Sequence, residues 1–590
     1  MPKKPPLIKY LCVAFVIQVG AIATPATAVT RSVPVPYSNI EAAIEAAING
    51  DIIEVDDGTY TGPGNYNIDN INGKAITIKS KNGPANCIID CQSNGRAFIF
   101  QSGENTTTVL EGFTIINGYA EDLNWPQEPN DDPSGYGGAI YCTGSSPDIK
   151  NCVITDNTAD SGGGAIFCNT GSNAQIRDCN ISYNYAGAGF YIYGVNFNDY
   201  NNMDQLGGGI YCRNSNPTII NCIIGGLDAF GWPAGNSSAG SGGGIACRDS
   251  NAVIMDCTIS YNDCWLDDDL VNQHGGGIYC EGGSPDINGC VITDNVAKWS
   301  GGGIAAVDSN VSIKLCAITD NDCWADAGGI YSEGNPTPND PNIPNCHILN
   351  CLIANNWGYW SGGVGSEYGS FARIENCTIA NNVASYSSDP YSLVGGLECL
   401  YGDATVKNSI IWGNTGLQIV GASSVTYSDV QILDVNGLLD PNSIWPGEGN
   451  INEDPLFAHP IHRDYHLQTE YLNGRYNPVT GVFDVNDPRT SPCVNAGDPF
   501  SAFGLEPVPN GGRINMGAYG NTPQASKSDI VRPLVAAIAG GMNVNMVDFA
   551  LLADNWLLGG ADIKNRKADL DNNGIVDERD LLIFTKFWLW

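Results

Sequence analysis

The sequence predicts an all-β chain: a right-handed parallel β-helix solenoid with an N-terminal capping helix, followed by a small α-helical calcium-binding domain. Three observations carry this. A phrase recurs, seen clearly as Gly207-Gly208-Gly209-Ile210-Tyr211-Cys212 and followed by Asn221-Cys222-Ile223-Ile224. Its second cysteine returns at Cys152, Cys179, Cys222, Cys257, Cys290, Cys316, Cys351 and Cys377, never fewer than 26 residues apart. A fixed minimum period with loops added at one place marks a solenoid. Within the unit, short alternating runs such as Ile-Tyr-Cys and Cys-Val-Ile-Thr read as strands, and no run is periodic enough for a helix.

Stacked coils put like residues on like, at a spacing of roughly 4.8 Å. Ile210 and Cys212 should face one side of their strand and Tyr211 the other. The cysteines then form two internal ladders. A third ladder runs through Asn157, Asn184, Asn262, Asn295, Asn321, Asn356, Asn382 and Asn414, five residues after each Cys or after Ser409. Asn tolerates a left-handed bend, and stacked amides bond to one another. Asp156, Asp294 and Asp320, one residue earlier, read as a structural column.

Residues 1–28 read as a signal peptide: Lys3, Lys4 and Lys9, an apolar run from Leu11 to Ala23, and Ala26-Thr27-Ala28 as cleavage site. The run is too short to span a membrane comfortably, and no later stretch qualifies. A secreted or cell-surface protein follows. With 63 acidic and 27 basic residues, the net charge is −36. That disfavours nucleic acid, which needs a basic face. Export permits disulfides, yet the ladder positions favour buried thiols; Cys87 with Cys91, or Cys264 with Cys323, are the better bridging pairs.

The chain then divides in order. Ser38 and Glu41 make a capping box for a helix with Ile40, Ile44, Ala47 and Ile48 on one face, ended by Gly50. It would plug the open end of the solenoid. Residues 29–431 are the β-helix, 432–525 a loop-rich closing segment over the top coil, and 526–590 a separate module. With Gly50-Asp51 and Gly58-Thr59-Tyr60, the entry Ile40-Glu41-Ala42-Ala43-Ile44 resembles that of pectin-lyase-fold proteins. Together with the Gly-Gly-Gly-Ile and Asn-Cys repeats, residues 33–430 resemble the secreted bacterial β-helix repeat proteins of that superfamily.

The insertions hold seven of the chain's 12 tryptophans: Trp125, Trp232, Trp265, Trp299, Trp324, Trp357 and Trp360. Acids accompany them, including Asp267, Asp268, Asp269 and Asp326. Insertions at one phase share one edge of the rod, and aromatic faces beside carboxylates suit a polysaccharide or cell-surface glycan. The competing reading packs these rings on the bare glycine corners and leaves the acids solvated. The resemblance also raises a polysaccharide lyase or glycoside hydrolase. Lys150, Arg177, Arg213, Arg248, Lys298, Lys314, Arg373 and Lys407 fall in no catalytic motif of the superfamily, so the resemblance supports the fold and not an activity. A structural or adhesive surface protein without a sugar site is the third reading. His459, His462 and His466 suggest a metal cluster, but three histidines in a Pro-rich loop are more often incidental.

In the last module, Asp548-x-x-Leu551 with Trp556-Leu557 is echoed by Asp580-x-x-Ile583 with Trp588-Leu589, each read as a helix. Residues 569–580 form a twelve-residue calcium loop. Asp569, Asp571, Asn573, the Ile575 carbonyl, Asp577 and Asp580 supply oxygen, and Gly574 makes the sharp turn. The arrangement resembles a type I dockerin, which implies a cohesin-like partner. The first half is degenerate, with Ala537, Ala539 and Gly541 where early ligands belong, so one calcium site is expected.

Overall fold

The computed structural model describes residues 28–122, 134–187, 205–265, 273–334, 346–385, 393–434, 437–440, 442–528, 546–559, 568–570 and 575–588. Parallel strands stack into four sheets: sheet 1 with 14 strands, sheet 2 with 11, sheet 3 with 13 and sheet 4 with 9. One coil visits them in a fixed order. Ile140–Thr143 lies in sheet 2, Asp148–Lys150 in sheet 1, Val153–Thr155 in sheet 3 and Thr158–Ala159 in sheet 4. Coil sits on coil in register, with Cys142 paired to Cys168, Cys168 to Cys212, Cys212 to Cys247 and Cys247 to Cys280.

The cross-section has two apolar layers, as alternation requires. Ile140, Cys142, Ile210, Cys212, Ile245 and Cys247 point into the main core with the Asn-Cys cysteines. Tyr141, Phe167, Tyr211, Tyr279 and Tyr331 point outward from sheet 2 and form a second buried layer with Tyr136 and Leu206. Phe167 stacks on Tyr136 at 4.7 Å and meets Tyr211 at 5.1 Å. Tyr136 therefore packs on the coil, as the competing reading of the loop aromatics has it. The Gly runs are the corner between sheets 4 and 2. A Cβ on Gly164 would stand 2.2 Å from the Gly208 carbonyl oxygen, so only glycine lets adjacent coils close there.

The Asn ladder is complete and one rung longer than its spacing suggests. Asn184 donates to Asn236 Oδ1 at 2.9 Å, and Asn236 to Asn262 Oδ1 at 2.9 Å. Asn236 was hidden because an insertion after Gly225 moves it away from its cysteine. The left-handed bend belongs not to the ladder Asn but to the residue before it: Asp156, Asp294 and Asp320 have φ of 57°, 56° and 58°. That conformation is what their column supplies.

Every cysteine in the described residues is buried and unbridged. Cys87 and Cys91 do not pair: they share one inward strand face four residues apart, roughly 13 Å by strand rise. Cys264 and Cys323 are also free, because Ala297 of the intervening coil lies between them. Ladder thiols donate instead to carbonyls of the coil below, as Cys257 Sγ does to Ile219 O at 3.6 Å. Ser409 continues the column, its Oγ accepting from Cys377 N at 3.1 Å.

The early helix α1 spans Ile40–Ala46 and is capped by Asn39, not Ser38. Asn39 Oδ1 accepts from Ala42 N at 2.9 Å. Glu41 N, which a Ser38 cap would have to receive, donates instead to Gly64 O at 2.9 Å, so no Ser38–Glu41 box forms. Ile40, Ala43 and Ile44 enter the core, whereas Ile48 is exposed beyond the helix end. Residues 442–528 lie along the outer side of sheet 3: Tyr465 and Ala518 pack on Leu352, Ala354 and Ala380, and Met516 and Cys493 on Ile410. The last helices are α2, Met546–Asp554, and α3, Glu578–Trp588. The first stops short of Trp556, which the repeat had placed within a helix. Leu552, Ala568, Leu570, Val576 and Phe584 form their shared core.

Candidate functional site

Two neighbouring features emerge near the C-terminal end of the rod. The first is a row of indoles at sheet 4: Trp265 and Trp324 follow its strands directly, whereas Trp357 begins the strand Trp357–Gly358 and so does not belong to an insertion. Trp265 meets Trp324 edge-on at 5.0 Å, and Trp324 meets Trp357 edge-on at 6.4 Å. Trp324 is 59% exposed, and Trp299 and Trp360 are also open to solvent. Tyr359 stands at 90° to Trp360 with centroids 5.2 Å apart. Trp232 is exposed but belongs to a separate turn, closed by Asp228 between sheets 3 and 4. Trp125, Asp267, Asp268 and Asp269 lie outside the described residues.

The second feature was not legible in the loops. Turns bearing Trp324 and Trp360 also carry Asp326 and Ser361. Asp326 converges with Glu367 and Glu398 so that one oxygen of each lies within 4.8 Å of the others. The strands explain the meeting. Glu367 ends Val364–Glu367 of sheet 2, and Glu398 ends Val394–Glu398 on the next coil, directly beside Gly365. Gly365 has no side chain to separate them, and a Cβ there would lie 3.4 Å from Glu367 Oε1. Ser361 holds the turn of Asp326 by accepting from Ala327 N at 2.9 Å.

The environment holds these carboxyls away from their usual range. Burial, then the charges of Asp326, Glu398 and Glu333, pushes Glu367 up to about 9. Burial and then Asp326 push Glu398 up to about 7, against a hydrogen bond from Ser361. Burial and then Glu333 push Asp326 up to about 6. Glu333 accepts from the Tyr331 hydroxyl at 2.7 Å. His274, stacked on Tyr331 at 5.9 Å, is pushed down to about 4 by burial. Beside Glu367 and outside the cluster, the exposed Tyr368 ring lies 6.1 Å from Tyr401. Chemically, such a cluster either shares protons among its carboxyls or neutralises them with a cation.

Asp326 was among the loop acids read from the sequence; Glu367 and Glu398 were not. The signal for Glu367 is phase, whereas Glu398 stands at the position that Tyr331 holds two coils earlier. Glu281, Glu333 and Glu367 stand three residues after Ile278, Ile330 and Val364, at one outward position of sheet 2. Arg213 and Arg248 hold that position in earlier coils, so the outer face turns from basic to acidic along the rod.

In the C-terminal module, Asp571 and Asn573 lie outside the described residues. Asp580 is buried; its carboxylate accepts from Leu570 N, and from Asp577 N at 2.7 Å. Val576 N donates to Leu558 O at 3.0 Å, tying the loop to the chain after α2. Asp569, Asp577 and Asp580 are hard oxygen donors of the kind calcium takes. The histidines do not converge: His459 and His462 are 4.2 Å apart, whereas His466 stacks on Tyr519 at 3.7 Å and pairs with Asp464 at 2.7 Å.

The architecture is a parallel β-helix, and a family model agrees. The family described as right handed beta helix region matches residues 164–350 and 243–432. A repeat of the Chlamydia polymorphic membrane proteins matches residues 151–169. No curated protein matches. Among solved structures, the PL6 family alginate lyase AlyGC is 12% identical with a TM-score of 0.34; the match covers 70% of this chain and 55% of that one. This chain thus spans about half the length of that lyase. The A-module of Azotobacter vinelandii mannuronan C-5 epimerase AlgE6 is 12% identical, TM-score 0.31, covering 66% of this chain and 94% of that one. The Streptococcus pneumoniae surface protein and adhesin PfbA is 13% identical, TM-score 0.21, covering 65% and 94%. Among the described residues no helix is long and apolar enough to cross a membrane.

Proposed function

We propose that this is an exported β-helix protein that binds a polysaccharide or cell-surface glycan along the tryptophan edge. The observation that carries the reading is the row Trp265–Trp324–Trp357, with Trp299 and Trp360 exposed on neighbouring turns. Buried indoles would serve packing. An open row beside carboxylates offers apolar faces to sugar rings and acceptors to their hydroxyls. In the same reading, residues 1–28 direct export, α1 covers the first coil, and the C-terminal module binds one calcium through the loop 569–580 and attaches the rod to a cohesin-like partner.

The test is binding of the full mature chain to a panel of acidic and neutral polysaccharides, with products analysed in parallel. Retention on one class, lost in Trp324→Ala, supports the reading. New reducing ends or unsaturated products would replace it with an enzyme, and retention on no member of the panel would sink it.

A further inference from the structure

The carboxylates on the outer face of sheet 2 are not alike. Glu281 meets Arg248 at 3.4 Å, and Glu333 takes the Tyr331 hydroxyl. Glu367 has no such answer. It is 1% exposed, and neither of its oxygens has a hydrogen-bond partner. Oε2 of Glu398 is buried and unpartnered as well. Among the described residues no Lys or Arg forms an ion pair with Asp326, Glu333, Glu367 or Glu398. A buried carboxylate without a donor is unfavourable, and folded chains answer it by protonating it, by pairing it or by ligating a metal.

We propose that Asp326, Glu367 and Glu398 form a cation site, separate from the C-terminal loop, that takes a hard divalent cation of the calcium type. The donors decide the class. All are carboxylate oxygens, with no thiolate or imidazole in the set, which selects calcium, magnesium or manganese over zinc or copper. Their placement decides within it. They come from a turn and two strands on successive coils and can offer up to six oxygens from three independent side chains. Calcium accepts six to eight oxygens in flexible geometry, whereas magnesium demands a near-ideal octahedron. The backbone is shaped for the meeting: Gly365 leaves the floor bare, and Ser361 fixes the turn before Ala327. The site stands on the orphaned carboxylates and needs neither the glycan edge nor the C-terminal module.

Calorimetric titration of the full chain with calcium chloride, after chelation, tests it. The C-terminal loop is first silenced by Asp569→Asn with Asp577→Asn. The silenced chain is expected to keep one calcium and to melt higher with the ion. Adding Glu367→Gln should weaken that binding at least tenfold and abolish the thermal shift, with the circular dichroism of the β-helix retained. Terbium luminescence, sensitised by nearby Tyr331, should appear in the silenced chain and vanish with Glu367→Gln. Should that variant fail to fold, Asp326→Asn on the half-buried turn gives the same reading. A silenced chain that takes up no calcium, or a folded variant that binds it unchanged, overturns the proposal and leaves the three carboxyls sharing protons.

Discussion

The carboxylate of Glu367 curls back over Gly365: a Cβ on that glycine would stand 3.4 Å from Glu367 Oε1 and 3.2 Å from the Ala327 side chain. The glycine sits in an ordinary strand conformation, so alanine is permitted by the backbone and opposed only by its neighbours. Gly365→Ala should leave the β-helix folded, at a cost of about 1–3 kcal/mol for overpacking. It should also displace Glu367 from Asp326 and Glu398 and reduce cation uptake by the loop-silenced chain. Thermal melting and calorimetry on the same sample separate the two effects.

Asn295 illustrates why the amide ladder is sensitive. Its Nδ2 donates to Ile259 O at 2.9 Å and to Asn321 Oδ1 at 3.0 Å, while its Oδ1 accepts from the backbone and side chain of Asn262, each at 3.0 Å. Asn295→Ala strands several buried groups at about 1–3 kcal/mol each. The expected loss is of order 3–5 kcal/mol in chemical denaturation. A loss below 1 kcal/mol would mean that water replaces the rung.

Asp429 should govern part of the pH response. It is fully buried, accepts from Cys493 Sγ at 3.0 Å and from Glu453 N at 3.2 Å, and lies near the charges of Glu453 and Asp454. Burial pushes it up to about 8 from an ordinary 3.8. The folded chain therefore keeps a proton that the unfolded chain releases near pH 4. The stability from that proton is complete below pH 4 and is lost as pH rises through about 8. Asp429→Asn removes this slope. Its melting temperature relative to the parent should climb between pH 5 and pH 9; a difference that stays constant would show that Asp429 ionises freely.

Trp324 is the middle indole of the exposed row. Trp324→Ala removes the contacts to Trp265 and Trp357 together with an open ring face. Aromatic pairs contribute about 0.5–1.5 kcal/mol beyond their burial, so the fold should lose about that much. Glycan retention should fall about fivefold or more, read by affinity electrophoresis beside a Trp232→Ala control on the separate turn.

The coil was readable because each unit repeats its own chemistry. Ile210, Tyr211 and Cys212 announce inward, outward, inward, and stacking multiplies that statement. Features that break the spacing were harder. Asn236 rejoins its ladder only after an insertion, which counting five from Cys222 misses. The acid cluster was hidden for a related reason: Glu367 and Glu398 sit in strands, where a lone Glu looks like ordinary solvent-facing alternation. What makes them a site is lateral register against Gly365, a relation between coils that a linear reading does not contain. Asp580, by contrast, is singled out by spacing within one loop.

Because each ladder asparagine bonds only to its own coil and to the coils directly above and below, the ladder has no unit that is topologically central. Asn295 and Asn321 are 26 residues apart, and the coil between them begins and ends at the same angular position. Excising one such coil should rejoin the chain without turning any later side chain away from its side. Molecular length is thus an independent variable here, free to be lengthened or shortened in steps of one strand spacing while the surface chemistry keeps its azimuth.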